Sequence, residues 1–300
     1  TRMKPDFRSY LENNIVAFDG AMGTMLYSRG VYINQCYEEL NLTNPALVQQ
    51  IHQEYIKAGA KVIETNTFGA NRFKLKAFGF AEKVGAINYQ AVKVALAAIG
   101  DRGYVAGSIG PLGIRIEPWG KTSVEEAEEA FSEQAKALLE AGVDLFILET
   151  FYDINEVHQA IRAIKKLCDK PIVASMTINE EGNALYGTSP DVFTRKLDDW
   201  GVDIIGLNCS VGPKAMYDTM EKIRAMTSRH LIAQPNAGMP RVIDGRTIYL
   251  CNPEYFGEYA KRFIQLGVRA LGGCCGTTPE HIKWMSNAIL AHSGSAQKFF

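Results

Sequence analysis

Three of the six cysteines stand where their spacing could do chemistry. Cys209 lies in Gly206-Leu207-Asn208-Cys209-Ser210, and Cys274 and Cys275 are adjacent in Gly272-Gly273-Cys274-Cys275-Gly276. Neighbouring cysteines can hardly form a structural bridge with each other, so reduced thiols are expected. A lone cysteine is more often a small buried hydrophobe than a ligand, which suits Cys36, Cys168 and Cys251. The adjacent pair is different, because glycines at 272, 273 and 276 let the backbone bend until both thiols face one ion. Three thiolates suit Zn²⁺, and three protein ligands leave one position open, the pattern of a catalytic site. An ion so neutralised by sulfur generates hydroxide poorly but can hold another thiol as its thiolate. The reaction class that follows is alkyl transfer to a substrate thiol.

Two carboxylates, Asp19 and Glu149, also follow short apolar runs. Each alone could be a helix cap or a rim salt bridge, but two acids on one rim are suited to a substrate ammonium group. The backbone N–H groups of Thr67 and Phe68, in the turn Thr65-Asn66-Thr67-Phe68-Gly69, could receive a carboxylate as a small anion nest. None of the five histidines, at 52, 158, 230, 281 and 292, ends such a run, which argues against a Ser-His or Cys-His hydrolase. An amino acid bearing a thiol satisfies all of these features.

These residues share a site only if the elements that carry them converge. Eight short apolar runs, at 15–19, 62–67, 104–109, 145–150, 171–178, 204–210, 231–236 and 270–275, are bounded by Gly, Pro, Asn or Asp and read as parallel strands covered on both faces. The segments between them have helical spacing. Asn44-Pro45 opens one helix and Gly59 closes it; Ser123 with Glu126 forms a capping box for another, which ends at Gly142. Ser189-Pro190, Gly212-Pro213 and Thr278-Pro279 open three more. A glycine precedes four of the strands, at 59, 142, 201 and 267, as a left-handed cap before re-entry into the sheet.

Eight strands alternating with helices and lacking a Pro/Gly/Ser-rich linker predict one α/β domain, a (β/α)₈ TIM barrel over residues 1–292 with its active site at the C-terminal rim of the strands. A doubly wound open sheet is the main competitor. Residues 293–300 are small and polar and read as a tail or the start of a linker. Hydrophobic residues make up 47% and charged residues 22% of 300, which excludes a disordered or low-complexity chain. The net charge of -1 offers no general attraction to nucleic acid or to anionic lipid. With no apolar run of membrane-spanning length and no secretory signal at the start, the expected location is cytoplasmic.

DGAMGT at 19–24, ETNTFGANR at 64–72, Glu-Thr-Phe at 149–151, GLNCSVGP at 206–213, QPNAG at 234–238 and GGCCGTTPEHI at 272–282 together resemble the homocysteine S-methyltransferase family. The resemblance implies that Cys209, Cys274 and Cys275 bind zinc, that Asp19 and Glu149 hold the homocysteine ammonium, and that Thr67 and Phe68 hold its carboxylate. It also places Asn208 among the substrate contacts, and offers Asn236 as a fourth zinc ligand when substrate is absent. CYEELNLTNP at 36–45 and ANRFKL at 70–75 look most like family modules that belong to longer chains. The implied methyl donor is then methylcobalamin or methyltetrahydrofolate, carried on another module or protein. A stand-alone enzyme using S-methylmethionine or S-adenosylmethionine, and a thiol-binding module with structural zinc, are the alternatives.

Overall fold

In the computed structural model, which describes residues 3–296, all eight apolar runs form parallel strands. They are β1 (Val16–Ala17), β2 (Val62–Glu64), β3 (Tyr104–Ile109), β4 (Leu145–Phe151), β5 (Ile172–Met176), β6 (Ile204–Asn208) and β7 (His230–Gln234), then, after a hairpin of β8 (Pro240–Ile243) and β9 (Arg246–Tyr249), β10 (Ala270–Leu271). Each strand lies beside its predecessor in the series, and β10 lies between β7 and β1. The circle closes through a parallel bridge from Phe18 to Val62, where the Lys61 N–H donates to the Ala17 carbonyl at 2.7 Å and the Asp19 N–H to that of Val62 at 3.1 Å. Closure pairs the two end strands of the eight-stranded sheet, and the expected barrel, not the open sheet, is the result.

Strand parity then sorts the side chains. Val16, Phe18, Val62, Tyr104, Ala106, Leu145, Ile147, Val173, Ile204, Ile232 and Ala270 pack together in the barrel lumen. Their neighbours Ala17, Ile63, Val105, Phe146, Leu148, Ile205, Ala233 and Leu271 pack outward in the helical layer. The helix Phe7–Asn13 plugs the lower end of the lumen with Phe7 and Leu11. With the lower lumen filled by apolar side chains, polar groups can gather only at the upper end.

The predicted helix signals act as expected. Asn44 caps Pro45–Ala58 by accepting from the Leu47 N–H, and Ser123 and Glu126 form the reciprocal box at the start of Val124–Ala141. The four glycines before strands have φ of +115°, +106°, +71° and +97° at 59, 142, 201 and 267. No described helix is long and apolar enough to cross a membrane.

Two differences stand out. The segment 240–249, outside the eight apolar runs, is a two-stranded antiparallel hairpin with largely exposed side chains. Its turn residues Asp244 and Gly245 have φ of +51° and +73°, the left-handed pair that an Asp-Gly hairpin turn requires, so a local signal was present. At the other end, the last helix spans Pro279–Ala296, so residues 293–296 continue a helix where a tail was expected. The remainder of that expected tail lies outside the described residues.

Candidate active site

At the upper end of the lumen, the period of two that buries Val62, Ala106, Ile147 and Ile232 also turns Glu64, Ser108, Glu149 and Gln234 inward. Asp19 joins them from just beyond β1. Asp19, Glu38, Glu64 and Glu149 line one cavity of about 260 Å³ together with Thr67, Phe68, Cys209, Cys274 and Cys275, and among the described residues no Lys, Arg or His side chain contributes to its wall. Asp19 Oδ2 accepts the backbone N–H of Glu64 at 3.0 Å, and Glu149 Oε1 accepts the Ser108 hydroxyl at 2.5 Å. Gln234 Nε2 donates to Glu64 Oε1 at 3.4 Å.

Burial pushes the Asp19 carboxyl up to about 7, with Glu149 adding to the rise and the Glu64 contacts opposing it. Glu64 and Glu149 are held well above the ordinary carboxyl range, again by burial first. For Glu64 the next cause is Asp19; for Glu149 it is Glu64, partly offset by the Ser108 hydroxyl. Acids so crowded and dry favour either protonation or an incoming cation. The expected pair Asp19 and Glu149 is therefore brought together with a third acid, Glu64, that motif reading missed. The available signal was parity, since Glu64 is two residues above lumen-facing Val62.

The turn 65–69 closes one side of the cavity. The Thr67 N–H already donates to the Thr65 carbonyl at 2.9 Å and its hydroxyl to the Ser108 carbonyl at 2.6 Å, so Thr67 is spent on shaping the turn. Of the two N–H groups expected to receive a carboxylate, only that of Phe68 has no partner among the described residues. Buried amides fix the turn from behind: Gln134 Nε2 donates to the Thr67 carbonyl at 2.8 Å and Asn41 Nδ2 to that of Asn66 at 2.8 Å.

The thiols line the same cavity from backbone beyond β6 and β10, outside the regular strands. Thr150, Cys209 and Ser210 have φ of +62°, +63° and +61°, an uncommon conformation for residues with a Cβ and a costly one for β-branched Thr150. Asn208 holds this strain. Its Oδ1 accepts the Thr150 N–H at 2.7 Å, while its Nδ2 donates to Thr150 Oγ1 at 2.8 Å and approaches Cys274 Sγ at 3.8 Å. Asn208 is buried and its amide is committed to protein, so it supports the site where a substrate contact was expected.

Glycines here act through space as well as torsion. A Cβ on Gly273 would lie 2.5 Å from Thr277 Oγ1, and Gly276 has φ of +80° with the Tyr249 ring where its side chain would be. That tyrosine is delivered by the hairpin, and its side chain is one of the groups that hold the Cys275 thiol down, after Cys209 and Cys274. Tyr249 lies in β9, outside the eight apolar runs, so no strand-end signal marks it.

The Sγ atoms of Cys209, Cys274 and Cys275 all lie within 4.8 Å of one another, and those of Cys209 and Cys275 are 3.7 Å apart. Sulfurs about 2.3 Å from a tetrahedral zinc sit roughly 3.8 Å from each other, so this donor set fits Zn²⁺ in both chemistry and spacing. All six cysteines are free. Contact among the thiols favours one thiolate: Cys275 is pushed down by hydrogen bonds from Cys209 first, and Cys274 is driven well up by those to the same partner. Asn236 is also buried nearby, hydrogen-bonded through its N–H to Val211, with its Oδ1 lacking any partner among the described residues.

Comparisons with known proteins agree with this geometry. A family model described as homocysteine S-methyltransferase matches residues 16–289. The chain is 30% identical over 302 residues to the methionine synthases of Mycobacterium tuberculosis and Mycobacterium leprae, an alignment that takes in 95% of this chain and 25% of each relative. It thus spans about a quarter of their length. The metallated form of the Escherichia coli homocysteine methyltransferase MmuM superposes with a TM-score of 0.80 at 24% identity, over 94% of this chain and 99% of that one. A methyltransferase from Methanosarcina mazei superposes at 0.62 with 13% identity, over 97% and 99% of the two chains, and such likenesses show the shared fold. Because the matched region takes in the whole barrel and every motif on its rim, the chain belongs to the homocysteine S-methyltransferase family, as a methyltransferase domain.

Proposed function

We propose that this domain binds L-homocysteine in the upper lumen and presents its thiol for methylation to methionine. The observation that carries this reading is one cavity whose lining joins three mutually close thiols to a set of carboxyls, with no Lys, Arg or His among its described lining residues. Asp19 and Glu149 take the substrate ammonium, and the free Phe68 N–H takes its carboxylate. An amino acid held by both ends directs its side chain across the cavity toward Cys209, Cys274 and Cys275. Those three residues would hold Zn²⁺, which when bound supplies the Lewis acidity that keeps a thiol ionised at neutral pH. The orphaned Asn236 Oδ1 supports it as a light ligand while substrate is absent.

The methyl group, on this reading, arrives as methylcobalamin or methyltetrahydrofolate on another module or protein, as the likeness to methionine synthases supports. A reducing, cytoplasmic location accords with six free thiols. Calorimetric titration with homocysteine near neutral pH, in two buffers of different ionisation enthalpy, counts the protons released. About one proton per site is expected, because the thiol titrates near ~8.5 when free and must ionise to bind the metal. A count near zero in zinc-loaded protein, after correction for the amino group, would reject thiol activation. Parallel turnover assays with methylcobalamin, methyltetrahydrofolate and S-methylmethionine then assign the donor.

A further inference from the structure

Asp19 and Glu64 form a pair that the proposed binding of homocysteine leaves unexplained. Both side chains line the same cavity, and each shifts the titration of the other. Asp19 Oδ2 is occupied by the Glu64 backbone N–H at 3.0 Å, but Asp19 Oδ1 is buried without a donor. An orphaned carboxylate oxygen in a dry site is costly, and two ionised carboxylates in contact repel strongly. The groups facing the pair do not relieve either problem. Glu149 is a further acid, Tyr55 gives its hydroxyl to the Ala21 carbonyl at 2.5 Å, and Gln234 already donates to Glu64 Oε1. Among the described residues, no cationic side chain lines the cavity wall. A single proton on Glu64 would supply the missing donor and remove one negative charge.

We propose that Glu64 is held as the neutral acid and donates its proton to Asp19, so that the pair carries one charge and fixes Asp19 in the orientation that receives the ammonium of an amino-acid thiol. Glu64 is on this account a positioning residue, acting through Asp19. The buried burden is also lessened: the wall offers the substrate one charge from the pair where two would repel. Burial and the neighbouring acid raise the Glu64 carboxyl well above its ordinary value, in agreement with the geometry. The binding part of this inference rests on the homocysteine reading; the proton does not.

Two variants separate the possibilities. Glutamine in Glu64→Gln can accept from Gln234 and donate to Asp19, and so reproduces the neutral acid, whereas Glu64→Leu can do neither. Infrared difference spectra of the zinc-loaded, substrate-free protein at neutral pH should show a protonated-carboxyl C=O band in the native chain that Glu64→Gln removes. Homocysteine affinity measured by calorimetry should stay within about threefold in Glu64→Gln and fall on the order of 10- to 100-fold in Glu64→Leu. Circular dichroism checks that the leucine variant folds, and the infrared arm does not need it. An unchanged C=O band in Glu64→Gln, or a loss of affinity in Glu64→Gln as large as in Glu64→Leu, would overturn the proposal. Native protein that shows the band but binds no homocysteine would instead reject the substrate reading and leave the proton in place.

Discussion

The two sides of the cavity are built in opposite ways. The acidic side stands on regular strands: Glu64 and Glu149 are the next lumen positions above Val62 and Ile147, and their direction follows from strand parity alone. The thiol side lies where the strands have ended, in left-handed residues at 209, 210 and 276, with a strained Thr150 beside them. It is held by the Asn208 amide and overlain by a tyrosine from a separate hairpin. Strands place a side chain to within the tolerance of a repeating backbone, whereas three sulfurs about one ion need directions that no single strand provides. Both sides are also incomplete in opposite senses. The acids want protons or a cation, and the thiols must lose protons to a metal.

The largest test breaks the thiol side outright. Replacing Cys274 with alanine removes one of three ligands and should abolish both the bound zinc, expected at about one per chain, and methyl transfer. The barrel should remain folded, because a domain of this size has its own core. Full metal occupancy in the variant, by elemental analysis, would show that the three sulfurs are not a metal site.

Next in size, Glu149→Gln should weaken homocysteine by about 1.5 to 3 kcal/mol, the worth of a charge-assisted hydrogen bond in a dry site, and leave zinc content unchanged. Equal losses of zinc and homocysteine would erase the division between the two sides. Unchanged affinity would remove Glu149 from the amine subsite.

A smaller effect distinguishes the sides by the sign of their pH dependence. Asp19 and Glu149 are raised in the folded state, Asp19 from 3.8 to about 7, so between the unfolded and folded values the native chain binds more protons than the unfolded one. The stability they contribute is complete below the unfolded values and is shed as pH rises through the folded ones. Substrate-free protein should therefore lose denaturant midpoint from pH 5 to pH 8, and Glu149→Gln should lose less. Zinc retention should follow the opposite course and strengthen over the same range, since its ligands bind as thiolates. Native and Glu149→Gln midpoints that fall in parallel would mean that the cavity acids do not govern the slope.

The smallest expected effect concerns Tyr249. Tyr249→Phe keeps the ring against Gly276 and removes only the hydroxyl, which helps hold the Cys275 thiol down, so zinc affinity by chelator competition should drop by roughly 10-fold, the low end for an outer partner of a metal ligand. Gly276→Ala strikes both the left-handed φ and the ring contact and should cost more stability than Tyr249→Phe. The reverse order would show that the hairpin does not pack on the thiol loop as described.

Much of this molecule was legible along the chain. The eight strands, their glycine re-entries, the Asn44 and Ser123 caps and the run Gly272-Gly273-Cys274-Cys275-Gly276 are local statements, set by residues a few positions apart. A turn, a cap or a period of two is decided by its own neighbours, so the alternation of strands and helices and the three thiols at strand ends could be read from the chain, while the choice of closed barrel over open sheet needed the Phe18–Val62 bridge. Tertiary structure decided what those local elements meet. Whether Thr67 offers its N–H or gives it to Thr65, whether Asn208 touches substrate or braces Thr150, and whether Glu64 stands against Asp19 all depend on the register at which distant strands close the circle. So does the arrival of Tyr249 at Cys275: the Asp244-Gly245 turn is local, but the direction in which its hairpin falls is not. Apart from the short Thr67–Thr65 bond, these contacts cross tens of residues and form only when the barrel closes, because closure fixes which strand ends face one another across the lumen.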